Sequence, residues 1–229
     1  MVESSGSTNS IQYEENHLVE LKGFLLQAQT DSKKLIELEQ SINSQVDNPQ
    51  RASPFFYLLA LLMTTQDCDD GIKYMASLVL KNTLRNHVVT YKANGGLDEL
   101  NAVKKLLFTR ILALPNPQKS QKKLLKEARQ ILSRVAVQEY YDDQASIADF
   151  VNYFCQGYNP VIVKLVNQIF KEAKDDRMSA LVHKLLTATQ KYILDEESSA
   201  STDCNLIELV VQMFQCLEIA KDTDPDLIV

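Results

Sequence analysis

A chain of 229 residues with 45% hydrophobic side chains has material for one or two cores, or for a row of repeats. Six Gly and six Pro are few for the turns of an all-β protein of this length, and Leu, Lys, Glu, Gln and Ala dominate, which predicts an all-α fold. The net charge of −6 excludes an overall field that draws in nucleic acid, so no direct nucleic-acid partner is expected, although a local basic strip remains compatible with it.

Cys68, Cys155, Cys204 and Cys216 are far apart and form neither a Cys-x-x-Cys pair nor a Cys/His ligand spacing. They read as free thiols of a reducing compartment, with no metal site. Met1 to Ser10 lacks the apolar core of a leader, and no run of 18 apolar residues occurs. The expectation is a soluble intracellular protein without a membrane partner.

In chain order, residues 1–15 are rich in Ser, Gly, Asn and Glu and read as a disordered tail. Leu18, Leu21, Leu25 and Ala28 then recur at helical spacing. After the cap cluster Thr30-Asp31-Ser32 the same spacing returns at Leu35, Leu38, Ile42 and Val46. The next segment, PFFYLLALLM from Pro54 to Met63, is apolar on every side. A helix of that kind must be covered on every side, and at about ten residues it is too short to span a bilayer. Its partner starts at Asp70 and carries the stripe Ile72, Ala76, Val79, Leu80 and Thr83.

Past Asn94-Gly95-Gly96 a third pair is predicted, with Leu97, Leu100, Val103, Leu107, Ile111 and Leu114 in its first helix. Leu124, Ala128, Ile131 and Val135 mark its second, after Asn116-Pro117. Ser146 caps a short helix with Ile147, Phe150, Val151 and Phe154, and Asn159-Pro160 opens its partner with Ile162, Leu165, Val166, Ile169 and Ala173. A fifth pair follows from Leu181, Leu185, Ala188 and Tyr192, then Leu206, Val210, Met213 and Leu217, joined by the acidic, Ser-rich stretch Asp195 to Asn205. Pairs beginning every 30 to 50 residues or so have the period of HEAT and armadillo repeats. Ser53-Pro54, Asn116-Pro117 and Asn159-Pro160 repeat one helix-start device, a polar cap followed by Pro. The expected architecture is a right-handed α-solenoid of about five HEAT-like antiparallel helix pairs. The apolar ending DPDLIV suggests that the solenoid is a truncated piece of a longer one, because terminal repeats need a polar outer face.

The ordered set Leu38-Glu39-Gln40, Ser53-Pro54 with the apolar run, Asp67 to Asp70, and Leu80-Lys81-Asn82 resembles the N-terminal region of the importin-β superfamily of nuclear transport receptors. The resemblance divides the chain into the tail 1–15, an importin-β N-terminal-like region at 16–88 holding two repeats, and further HEAT-like repeats at 89–229. It implies binding of the small GTPase Ran in its GTP form by the second helices of the first repeats. Protein cargo would lie elsewhere on the inner surface, and Phe-Gly nucleoporins in apolar grooves of the outer one. It also implies shuttling between cytoplasm and nucleus through the nuclear envelope, by affinity switching without a cofactor or a covalent step.

Helical spacing places Tyr74, Leu78, Lys81 and Arg85 on one side of the helix from Asp70, away from Ala76 and Thr83. Lys122, Lys126 and Ser133 fall on the equivalent side of the second helix of the third pair, Lys33, Glu37 and Gln40 on the first pair, and Lys164 and Lys171 near it on the fourth. Read through the resemblance, Tyr74, Leu78, Lys81, Arg85, Lys122 and Lys126 are the candidate contacts to Ran. The same pattern also fits a solvated face whose lysines serve solubility. Asn82 is offset to the flank of its helix, where its amide is expected to hydrogen-bond backbone between repeats.

No HExxH, GxSxG, GxxxxGK[ST] or GxGxxG motif occurs, and His17, His87 and His183 fall on separate helices, so no catalytic or metal site is expected. Asp67, Asp69 and Asp70 lack the Gly and Glu positions of a calcium loop and read as acids at a helix N-terminus. A HEAT or armadillo scaffold or adaptor unrelated to nuclear transport is the alternative reading. An RNA-binding repeat protein would carry recurring base-reading side chains, and none recur.

Overall fold

The computed structural model describes residue 11 and residues 13–46, 54–112, 119–140, 147–173, 178–194 and 203–223, and these contain ten α-helices and no strand. The helices are α1 (Glu15–Ala28), α2 (Ser32–Val46), α3 (Phe55–Thr64), α4 (Asp70–Tyr91), α5 (Leu97–Leu112), α6 (Lys119–Tyr140), α7 (Ala148–Gln156), α8 (Pro160–Ala173), α9 (Ser179–Leu194) and α10 (Cys204–Thr223). The protein is all-α. Its chain divides into two compact units, one up to Leu107 and one from Phe108. The tail 1–10, Ser53, Leu114, Asn116, Pro117, Ser146 and the acidic stretch 195–202 lie outside the described residues.

In the first unit α1 packs on α2, α3 and α4, and α4 packs on α2 and α3. The helix starts follow from short polar caps. Asp31 Oδ1 accepts the N–H of Lys33 at 2.9 Å, and Asp69 Oδ1 accepts those of Gly71 at 2.8 Å and Ile72 at 3.2 Å. The acids at 67–70 therefore include a true helix cap. α3 is enclosed as its composition requires: Phe56, Leu58, Leu59, Ala60, Leu62 and Met63 are all buried. Pro54, which precedes its first turn, supplies no side-chain bond to it. Glu99, from the first turn of α5, fills that role, its Oε1 accepting the N–H of Tyr57 at 2.8 Å.

Glu99 is itself buried, and its second oxygen accepts the hydroxyl of Tyr91, the last residue of α4. The Tyr91 ring stands edge-on to Phe56 at 4.5 Å between centroids. The chain can return from Tyr91 to Glu99 so quickly because the Lys92–Gly96 turn places Gly95 in the left-handed region at φ 81°. Gly96 lies so close to Tyr91 that a Cβ there would fall on the ring. Asn94, in the same turn, donates from Nδ2 to the Val46 carbonyl at the end of α2, 3.2 Å away.

In the second unit α8 is central, packing on α6, α7 and α10, while α9 packs on α7 and α10. Asn159, read from the sequence as a cap, accepts from the N–H groups of Val161 and Ile162. Phe108 meets Phe150 and Tyr153 edge-on, each at 5.0 Å. The hydroxyl of buried Tyr192 donates to the Phe154 carbonyl near the end of α7. Its ring lies 5.5 Å from that of Phe154 and 6.1 Å from that of Tyr158. Burial, with the Cys155 thiol nearby, pushes the Tyr192 phenol up to about 12.

The buried stripes agree with helical spacing in α2, α4, α7 and α8 and shift in three places. α6 buries Leu125 rather than Leu124, α9 buries Val182 rather than Leu181, and α10 buries Leu209 and Cys216 rather than Val210 and Leu217. Each pair of neighbours is 100° apart on a helix, and both are apolar or nearly so, so composition alone leaves the rotation open.

Glu99→Ala is expected to destabilise the chain by about 2–3 kcal/mol in urea denaturation, because it removes the acceptor of the half-buried Tyr57 N–H and of the buried Tyr91 hydroxyl. Glu99→Gln, which retains an acceptor, should cost less. For Tyr192 the unfolded chain loses its phenolic proton first, near pH 10, so stability should fall as pH rises from about 10 to about 12. Tyr192→Phe should remove that part of the alkaline slope while costing about 1 kcal/mol at neutral pH.

Candidate functional site

The six residues that spacing assigns to one surface sit in both units. Tyr74, Leu78, Lys81 and Arg85 lie on α4 of the first, and Lys122 and Lys126 lie on α6 of the second. On α4 the four fall within about 60° of one another around the helix, opposite Ala76 and Thr83 but bordered by buried Ser77 and Val88. Tyr74, Leu78 and Lys81 are half-buried and Arg85 is exposed. Lys122 and Lys126, one turn apart on α6, are exposed. Ser133, placed by spacing on the same side, is instead fully buried, its hydroxyl donating to the Gln130 carbonyl at 3.1 Å. The basic side of α6 thus does not run the length of the helix. Glu127 is buried and Arg129 is partly so, and burial lowers the Arg129 guanidinium below its usual range.

Asn82, next to Lys81, is exposed, and its Nδ2 donates to Glu39 Oε1 on α2 at 2.9 Å. Its partner is a carboxylate rather than backbone. The second unit contains a related contact, in which Asn167 Nδ2 of α8 donates to Glu208 Oε2 of α10 at 2.7 Å. Lys171 Nζ lies 2.6 Å from the other Glu208 oxygen, and Arg134 of α6 pairs with Glu172 of α8 at 3.6 Å. The hydrogen bonds from Lys171 and Asn167 hold the Glu208 carboxyl below the usual carboxylate range. Lys171, grouped by spacing with the basic strip, is therefore occupied in joining helices, whereas Lys164 and Lys33 are exposed. Glu37 pairs with Lys34 at 2.7 Å, which raises the Lys34 ammonium.

A groove of about 390 Å³ lies along α1 and α2, reaching Phe55 of α3. Its walls combine Leu21, Phe24 and Leu38 with Glu20, Glu37 and His17. His17 Nδ1 is buried there without a hydrogen-bond partner, and its Nε2 is 3.8 Å from Glu14. Sequence reasoning missed this groove, because its walls come from three helices and no single stretch carries it.

His87 and His183 lie on α4 and α9, and among the described residues no group of three His, Cys, Asp or Glu is placed to hold a metal ion. Among the same residues no helix is long and apolar enough to cross a membrane. Comparison of the chain with protein-family models, curated proteins and solved structures finds no match.

In an NMR titration Glu208 should lose its proton below the ordinary carboxylate midpoint, and Lys171→Met should move that midpoint upward. Because the folded value is the lower one, the bridge stabilises the chain above about pH 4.3 and its contribution is lost as pH falls through the folded value.

Proposed function

We propose that the chain is the N-terminal part of a nuclear transport receptor that binds Ran in its GTP form and carries protein cargo through nuclear pores. The observation that supports this reading most directly is the Asn82–Glu39 bond. It joins the two short segments, Leu38-Glu39-Gln40 and Leu80-Lys81-Asn82, on which the likeness to the importin-β superfamily rests. Segments about forty residues apart in sequence thus meet on adjoining second helices.

On this reading the helix pairs follow one another as repeats of a right-handed HEAT-like solenoid. Tyr74, Leu78, Lys81 and Arg85 face the GTPase, with Lys122 and Lys126 as further contacts. Ordered switch loops exist only in the GTP state, so a surface that fits them discriminates nucleotide without touching it. Phe-Gly nucleoporins take apolar grooves on the opposite faces, and the protein shuttles between cytoplasm and nucleus.

A helical-repeat scaffold or adaptor with no part in nuclear transport is the second reading. The packing pattern favours it, because paired helices with adjoining second members suit a binding scaffold whatever its partner.

Calorimetry with Ran loaded with a non-hydrolysable GTP analogue, and separately with GDP, tests the proposal. Selective binding of the GTP form is expected, weakened at least tenfold by Lys81→Glu/Arg85→Glu and reduced at higher salt. Equal binding of both forms, or indifference to the charge reversal, would favour the scaffold.

A further inference from the structure

The groove along α1 and α2 takes no part in the GTPase reading, which uses α4 and α6. Its volume of about 390 Å³ falls in the range of sites that enclose most of a small molecule. Its chemistry is one-sided. Glu20 and Glu37 line it, and among the described residues no lysine or arginine does. Glu37 already pairs with Lys34 at 2.7 Å, whereas exposed Glu20 makes no hydrogen bond or ion pair among the described residues. Buried Leu21 and Leu38 line the groove together with the rings of Phe24 and Phe55, and aromatic faces, like carboxylates, attract cations. His17, one turn before Glu20, holds Nδ1 without a hydrogen-bond partner, so no bond at that atom fixes the ring against turning toward a ligand.

Gly23 lies in the same wall. Glycine weakens a helix interior, yet a Cβ at this exposed position would meet no atom within 4 Å, so packing gives no reason for its absence. The missing side chain leaves the groove open.

We propose that this groove binds a small organic cation, an amine or guanidine joined by a short linker to an apolar ring. The charged head meets Glu20, and the ring packs with Phe24 and Phe55 over the buried leucines. Glu20 and Phe24 are one turn apart, about 6 Å along the helix axis, which is comparable with the span of an amine and a ring joined by two carbons. Other occupants fit less well. Both carboxylates repel an anion. A protein partner or a second copy engages roughly 20 residues or more a side, whereas ten described residues wall this groove. Further repeats, on the solenoid reading, would follow α10 rather than cover α1.

The probe is phenethylamine, cationic at neutral pH, with phenethyl alcohol as its neutral counterpart and hydrocinnamate as its anionic one. Each is titrated into the full chain, and NMR follows the backbone amide at position 23 and the His17 ring protons. Saturable shifts are expected with the amine, about fivefold weaker affinity with the alcohol, and none with hydrocinnamate. Glu20→Gln should bring the amine down to the affinity of the alcohol. Gly23→Leu should abolish binding of both without lowering the melting temperature, because a good helix former replaces a poor one where there is room. Absence of saturable shifts with the amine, equal affinity for the three probes, or binding that survives Gly23→Leu would each refute the proposal. So would a Phe-Gly peptide that saturates the same shifts while the amine does not, since the groove would then serve a protein segment.

Discussion

The first unit depends on one buried carboxylate. α3 is apolar on all sides, so neighbouring helices must surround it, yet its first N–H groups still need acceptors. Pro54 contributes no side-chain bond there. Glu99 answers from 42 residues away with an acceptor for the Tyr57 N–H. A carboxylate is costly to bury alone, and the Tyr91 hydroxyl on its other oxygen offsets part of that cost. One group therefore fixes the start of α3, the end of α4 and the start of α5. Gly95 and Gly96 are what allow those three points to meet, the first through its backbone angle and the second by leaving room for the Tyr91 ring.

The second unit meets a related demand at a helix C-terminus. α7 ends among its neighbours, and Tyr192 reaches back from α9 to the Phe154 carbonyl. A tyrosine suits the position because its ring fills apolar space against Phe154 while its hydroxyl serves the backbone. In both units a buried tyrosine hydroxyl serves a polar group at a helix end, Tyr91 bonding Glu99 of the next helix and Tyr192 the Phe154 carbonyl two helices back, which ties the packing of each apolar stripe to the satisfaction of a polar group.

Much of the helical skeleton was legible in the sequence, since periodicity and short polar caps are local signals. Asp31, Asp69 and Asn159 cap helices as their positions suggest, and the α4 stripe from Ile72 to Thr83 is buried as its spacing requires. Rotational detail was less legible. Where Leu124-Leu125 or Leu181-Val182 stand side by side, only the neighbouring helix decides which turns inward. Ser133 went astray for the same reason: spacing placed it with Lys122 and Lys126, but packing enclosed that part of α6. Glu99 gave no sign at all. In sequence it is an ordinary acid in a helix first turn, and its role exists only because a helix start 42 residues earlier comes to rest beside it. Of the candidate surface, the sequence could indicate which side chains share a side of α4, but not that three of them are partly covered.

The cross-helix Asn–Glu contacts bear on what such a surface can do. Asn82 is exposed, so its bond to Glu39 competes with water and contributes little to stability. Its effect lies in register: a one-residue slip or a rotation of α4 against α2 would carry the amide away from the carboxylate. Asn167 is nearly buried, and its Oδ1 has no partner in the structure, so its pairing with Glu208 leaves part of the amide unsatisfied. Larger apolar residues at these positions would bury more area but would fit several rotations almost equally well. Polar bridges penalise the alternatives instead, in the manner of polar residues that set the register of coiled coils. A recognition surface spread over a helix face needs that restriction, because complementarity to a partner is lost when the helix turns by even one residue, or 100°.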